Sequence, residues 1–164
     1  VQQVNGEFAE RFEGRNLDLI CILQPEPLLI RADSRRIWRV LENLYVNVCK
    51  YAMPGTRVYV DAIKKDGKIQ LSIKNISENP LNFQADELTE RFIRGDVSRS
   101  TEGSGLGLSI AKNLTVLQHG SFNIYLDGDL FKVTITFDEA VKEKKPMPPM
   151  IVPEPVQEEA QQDV

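Results

Sequence analysis

The stretch Arg94-Gly-Asp-Val-Ser-Arg-Ser-Thr-Glu-Gly-Ser-Gly-Leu-Gly-Leu-Ser-Ile-Ala-Lys112 decides how the rest of this chain reads. Three glycines, Gly103, Gly105 and Gly107, stand directly before apolar residues at helical spacing, Leu108, Ala111, Leu114 and Leu117, so a polar loop runs into a helix N-terminus. Glycine lets backbone N–H groups approach a ligand with no Cβ in the way, and the free N–H groups and positive dipole end of a helix favour phosphate oxygens. Arg94 and Arg99 lie just upstream, where guanidinium forks suit a phosphate. The spacing G-x-G-x-G, with no Lys-Ser or Lys-Thr after it, fits neither a Walker A loop nor the dinucleotide fingerprint G-x-G-x-x-G. From the glycines alone, a plain turn capped at Ser104 explains the pattern equally well.

Residues 34–52 shift that balance. Asp33 or Ser34 can cap a helix there, Ile37, Leu41, Leu44 and Val48 fall on one face of it, and Pro54-Gly55 ends it. Asn43, Asn47 and Lys50 recur at i, i+4 and i+7, a polar stripe beside the apolar one. Asparagine is a mediocre helix former, because its amide competes with the backbone, so two at one helical spacing call for a reason. A carbonyl oxygen from each can coordinate Mg²⁺ or bond a nucleotide, and Lys50 supplies a point charge for phosphate. The alternative is a solvated helix face.

Outward from these two features the chain alternates strand and turn. Leu17 to Leu23 reads as a strand, and Pro27 to Ile30 as another running up to Asp33, while the first residues read as a short polar segment. Arg57 to Ile63 and Lys68 to Lys74 form a hairpin about Asp66-Gly67, with Ile69, Leu71 and Ile73 inward and Asn75 at the strand's end. Ala85 to Phe92 is an amphipathic piece leading into the loop. Residues 95–104, with Val97 as their one apolar side chain, are expected to form a mobile lid. The late helix runs to Gly120, placed as a C′ cap, with His119 as a residue favoured by the helix dipole. Ser121 to Leu126 and Leu130 to Phe137 make a last hairpin with Phe131, Val133, Ile135 and Phe137 inward. Residues 140–164, Pro-rich and acidic, are expected to be a disordered tail.

With 164 residues, 41% of them hydrophobic, the chain can bury one true core and is too short for two ordinary domains. A net charge of −4 argues against nucleic acid or an anionic membrane as main partner. No apolar run reaches the ~18–20 residues of a membrane span. Cys21 and Cys49 have neither zinc-like nor redox-motif spacing and read as reduced, partly buried thiols. The chain opens on Val1, without an initiator Met, and reads as a piece of something longer.

Here a resemblance enters. Arg39-Val-Leu-Glu-Asn-Leu-Tyr-Val-Asn-Val-Cys-Lys-Tyr51 resembles the N box of sensor histidine kinases, while Glu90 to Arg99 and Gly103-Ser-Gly-Leu-Gly-Leu108 resemble their F and G2 boxes. The resemblance covers roughly residues 15–138. It implies an α+β fold of two layers, a mixed and mostly antiparallel sheet with helices on one face, shared with HSP90 chaperones, gyrase B and MutL and known as the Bergerat fold. It implies that residues 1–139 bind ATP, that Asn43 and Asn47 hold Mg²⁺ and phosphates, that Lys50 reaches a phosphate and that Tyr51 packs near the nucleotide. Gly103, Ser104, Gly105, Leu106 and Gly107 would form the phosphate loop, and Arg94 and Arg99 would meet the γ-phosphate. The family's G1 box, D-x-G-x-G, supplies an Asp for the adenine amine; here Asn75-Ile-Ser-Glu-Asn stands in its place, so Asn75 replaces the Asp and both glycines are absent.

The implied chemistry is phosphoryl transfer from ATP to a histidine on a separate dimerisation domain, absent from this chain, within a bacterial sensor of the cell membrane that serves a response regulator. Two other readings stay open. One is a regulatory module of the same fold with impaired nucleotide binding, suggested by the missing glycines. The other is an ATPase of the HSP90 or MutL type, for which Glu42 is one residue out of register with Asn43, a rotation of ~100° about the helix.

Overall fold

An amphipathic helix and a half-apolar strand each leave one surface that must be covered, and this chain covers both by laying helices on one face of a single sheet. The computed structural model describes residues 1–81 and 106–140. In chain order these form α1 (Gln2–Gly14), β1 (Asp18–Leu23), α2 (Ser34–Tyr51), β2 (Arg57–Lys65), β3 (Lys68–Ile76), α3 (Gly107–Val116), β4 (Ser121–Asp127) and β5 (Leu130–Asp138). The strands stand in the order β1-β2-β3-β5-β4, with β1 parallel to β2 and the other neighbours antiparallel. This is the α+β, mixed, mostly antiparallel sheet that the sequence led us to expect.

The core lies between the layers. Val58 and Val60 of β2, Leu71 and Ile73 of β3, and the alternating Phe131, Val133, Ile135 and Phe137 of β5 meet Leu41, Leu44 and Val48 of α2 and Leu108 and Ala111 of α3. Asp33 caps α2, its carboxylate accepting from the Arg36 N–H at 2.9 Å, and those backbone N–H bonds hold its pKa below the ordinary 3.8. The β2–β3 turn places Asp66 at φ 51° and Gly67 at φ 72°, the left-handed pair that a two-residue hairpin requires.

Five expectations need correction. The first residues form a full helix, α1, because Val4, Phe8 and Phe12 share one face at i, i+4 and i+8 and bury it against Tyr45 of α2. Pro27 to Ile30 is not a strand; it contributes one bridge, Ile30 to Glu139, and prolines at both 25 and 27 remove ladder donors. Gly120 is not the left-handed cap of α3. His119 takes that conformation at φ 63°, with the Gly120 N–H bonded to Thr115 O and the His119 N–H to Val116 O, the paired bonds of a Schellman ending. Leu117 lies beyond the helix and is 61% exposed, while Thr115 takes the buried place. Cys21 is exposed on the edge strand, and Cys49 alone is partly buried. Apart from Ala140, the expected tail lies outside the described residues, as do Ala85 to Phe92 and the expected lid.

Candidate functional site

The polar stripe of α2 sits at the margin of the core, with Asn43 and Asn47 half-buried and Lys50 exposed at the helix's last turn. Asn43 Nδ2 donates to Arg39 O at 2.6 Å, which fixes the amide and leaves Oδ1 as an acceptor. From Asn43 to Tyr51 the stripe runs about 12 Å along the helix axis.

At one end of the stripe stands the start of α3. Leu106 is its N-cap with no side-chain bond, so the first N–H groups of the helix are left for other partners. Gly107 is packed so closely that a Cβ there would stand 3.3 Å from Asn43 Oδ1 and 3.8 Å from Asn43 O. This contact joins the glycine loop to the asparagine stripe, two features that no local register brings together.

At the other end stands the exit of β3. Asn75 continues the inward row of Ile69, Leu71 and Ile73 and is 3% exposed, a polar side chain on an apolar face. Its Nδ2 donates to Ile76 O at 3.2 Å, and its Oδ1 is buried with no partner among the described residues. An unpaired buried acceptor costs about 1–3 kcal/mol, so its retention calls for a donor beyond the described residues. Around it the backbone is pinned: Met53 N–H to Ile76 O at 2.9 Å, Ser77 N–H to Asp129 O and Glu78 N–H to Tyr51 O, each at 2.8 Å, with a bridge between Ala52 and Ser77. The Tyr51 carbonyl is therefore tied to the chain just past Asn75.

Of the residues singled out in the sequence, the structure brings Asn43, Leu106 and Gly107 together at one end and Tyr51 and Asn75 at the other, with Asn47 and Lys50 between. Arg94, Arg99, Gly103, Ser104 and Gly105 lie outside the described residues. Sequence reasoning missed Arg15, which reaches this region from α1 and carries no periodic signal, and Ser77, 5% exposed beside Asn75. Among the described residues no cluster of three or more His, Cys, Asp or Glu side chains is placed to hold a metal ion. A groove of about 570 Å³ between α1 and β1, bordered by Asn5 and Arg57, lies away from Asn43, Asn75 and Gly107.

Residues 32–141 match the family model described as histidine kinase-, DNA gyrase B- and HSP90-like ATPase. The chain belongs to that family. Among curated proteins it is similar to the signal transduction histidine-protein kinase BaeS of Escherichia coli, 30% identical over 122 residues that cover 73% of this chain and 26% of that one. It is also similar to the sensor histidine kinase HprS of Escherichia coli, 34% identical over 108 residues, 65% of this chain and 24% of that one. Its fold is that of the catalytic domain of histidine kinase ThkA, with a TM-score of 0.71 at 23% identity over 84% of this chain and 89% of that one. Acinetobacter baumannii histidine kinase AdeS shares the fold with a TM-score of 0.63 at 20% identity, over 84% of this chain and 61% of that one. The chain spans about a quarter of the length of these curated relatives, and corresponds to the ATP-binding domain of a sensor histidine kinase.

Proposed function

We propose that residues 1–139 form a domain that binds Mg²⁺-ATP along the α2 stripe and, within a longer protein, passes the γ-phosphoryl group to a histidine on a separate dimerisation domain. The observation that carries this is the buried Oδ1 of Asn75, unpartnered among the described residues. It can accept from the 6-amino group of adenine, and its amide cannot turn without setting Oδ1 against Ile76 O, so it offers the base an acceptor only. Lys50 then lies along the stripe toward the phosphates, and the start of α3 receives them on backbone N–H groups. Asn43 and Asn47 would hold the cation through amide oxygens, the hard oxygen donors that Mg²⁺ takes alongside phosphate and water. Mg²⁺-ATP supplies the phosphoryl group and the charge neutralisation; the chain's own work is positioning, as in other phosphoryl transfers.

The likeness to sensor kinases supports a response regulator as final acceptor and a parent protein in the cell membrane. Among the described residues no helix is long and apolar enough to cross a membrane. A second reading, a regulatory module with impaired nucleotide binding, is favoured by the hydrogen-bonded exit of β3 where the sensor kinases' motif has glycines.

Calorimetry separates the two. Wild type is expected to bind ATP, and Asn47→Ala to lose more affinity with Mg²⁺ than in EDTA, because a metal ligand is removed along with a hydrogen bond. Equal losses would remove Asn47 from the cation site, and no binding by wild type would favour the regulatory module.

A further inference from the structure

We infer that Arg15 is a positioning residue for base recognition, holding the β3 exit so that the Asn75 acceptor is presented correctly to the nucleotide; this rests on the ATP reading above. Arg15 is the C-cap of α1, and its own N–H bonds to Arg11 O and Phe12 O, so its backbone is fixed to the helix whose Phe8 and Phe12 pack on Tyr45. From there its Nη2 donates to two acceptors. One is Ala52 O at 3.1 Å, where α2 ends, and the other is Glu78 Oε2 at 2.9 Å, just past β3.

Glu78 is three residues after Asn75, and its N–H is bonded to Tyr51 O. Arg15 thus ties three chain segments into one bracket: the end of α1, the end of α2 and the segment after Asn75. The sequence lacks glycines here, and the segment is held by hydrogen bonds to its neighbours instead.

A second observation separates this from an ordinary surface ion pair. Arg15 Nε is buried and has no partner among the described residues. An arginine whose only task was to meet a carboxylate in solvent would keep that donor in water, since a lone exposed pair is worth little and a buried unpaired donor is costly. The Ala52 carbonyl holds the guanidinium, part-exposed with only its Nε buried, at the angle at which it meets Glu78. Both bonds come from Nη2, so a lysine ammonium could meet the two acceptors but would lack the planar guanidinium and its buried Nε that fix the approach.

The test is the ratio of ATP to GTP affinity, measured by calorimetry with the whole chain, together with affinity for inorganic tripolyphosphate. Guanine carries an oxygen where adenine carries its amine, so the ratio reports on Asn75 and tripolyphosphate on the rest of the site. Arg15→Ala is expected to weaken ATP about three- to tenfold, the range that follows from losing one or two ordinary hydrogen bonds, and to leave GTP and tripolyphosphate within about twofold. Glu78→Ala, at a half-exposed side chain, should shift the ratio in the same direction by less, and Arg15→Lys should restore part of it. Should Arg15→Ala not fold, Glu78→Ala decides alone. An unchanged ratio in wild-type-like variants overturns the inference, as does an equal loss for ATP, GTP and tripolyphosphate, which would mark Arg15 as structural. Failure of wild type to bind ATP would instead overturn the function it rests on, and this role with it.

Discussion

Gly120→Ala tests whether this glycine is present for its backbone freedom or for its lack of a side chain. Gly120 does not occupy the left-handed region; His119 does. A Cβ at Gly120 would stand 2.6 Å from Phe137 Cε1, 2.7 Å from Phe137 Cζ and 2.8 Å from Thr115 Cγ2. Each lies about 1 Å inside an ordinary carbon contact. Phe137 is 6% exposed and Thr115 0%, so neither can swing into solvent. Overpacking of this kind costs about 1–3 kcal/mol, and three contacts at once place it near the top of that range. Alanine recovers ~0.4–1 kcal/mol by restricting the unfolded chain, leaving a net loss of about 2 kcal/mol. For a domain of this size that lowers Tm by roughly 5–10 °C, readable by circular dichroism. Phe137→Leu removes the two ring atoms responsible, so the double variant should lose at least ~1 kcal/mol less than the two single variants combined. A Gly120→Ala melt within about 2 °C of wild type would refute the reasoning, and so would simple additivity with Phe137→Leu, because a glycine kept for conformation gains nothing from a smaller neighbour.

Two further outcomes follow from side chains in unusual surroundings. Asn75→Leu removes a buried acceptor that nothing in the described residues satisfies, so the ligand-free domain should gain about 1 kcal/mol of stability while ATP affinity falls; a lower Tm with unchanged ATP binding would contradict both halves. Burial raises the Cys49 pKa above its ordinary 9.0 despite Arg11 and Arg15 nearby, so less thiolate is present at any given pH: iodoacetamide at pH 8 should label exposed Cys21 first, with the Cys49 rate still climbing above pH 9, and equal labelling by mass spectrometry would show the thiol to be open.

What could be read from the sequence was whatever repeats at a fixed period. Strands β2, β3 and β5 alternate cleanly, and α2 carries its apolar stripe, its cap at Asp33 and its asparagines within one stretch. α1 was missed because three apolar residues are diluted by Gly6 and nine other residues of a 13-residue helix; the spacing of Val4, Phe8 and Phe12 was the signal available. His119 hid behind Gly120, since glycine is the usual residue at a helix end and its crowding by Phe137 is a contact across the fold. The site divides in the same way. Asn43, Asn47 and Lys50 are legible as a local stripe, whereas the loneliness of the Asn75 carbonyl and the reach of Arg15 to Glu78 depend on which segments meet in space.

The order of the strands has a consequence during synthesis. β3 is the centre of the sheet, and its partner β5 pairs with it over nine residues from Lys68↔Asp138 to Ile76↔Leu130. Roughly fifty residues of chain separate the two strands, so at ~5–20 residues per second β3 leaves the ribosome several seconds before β5 exists. During that interval the β2–β3 hairpin offers an open edge and an apolar face, Ile69, Leu71 and Ile73, with half of its cover unmade. The nascent chain therefore passes through a stage in which the strand bearing Asn75 is the exposed one, and holding chaperones, slow codons after Ile76 or a crowded polysome act on this domain at that point.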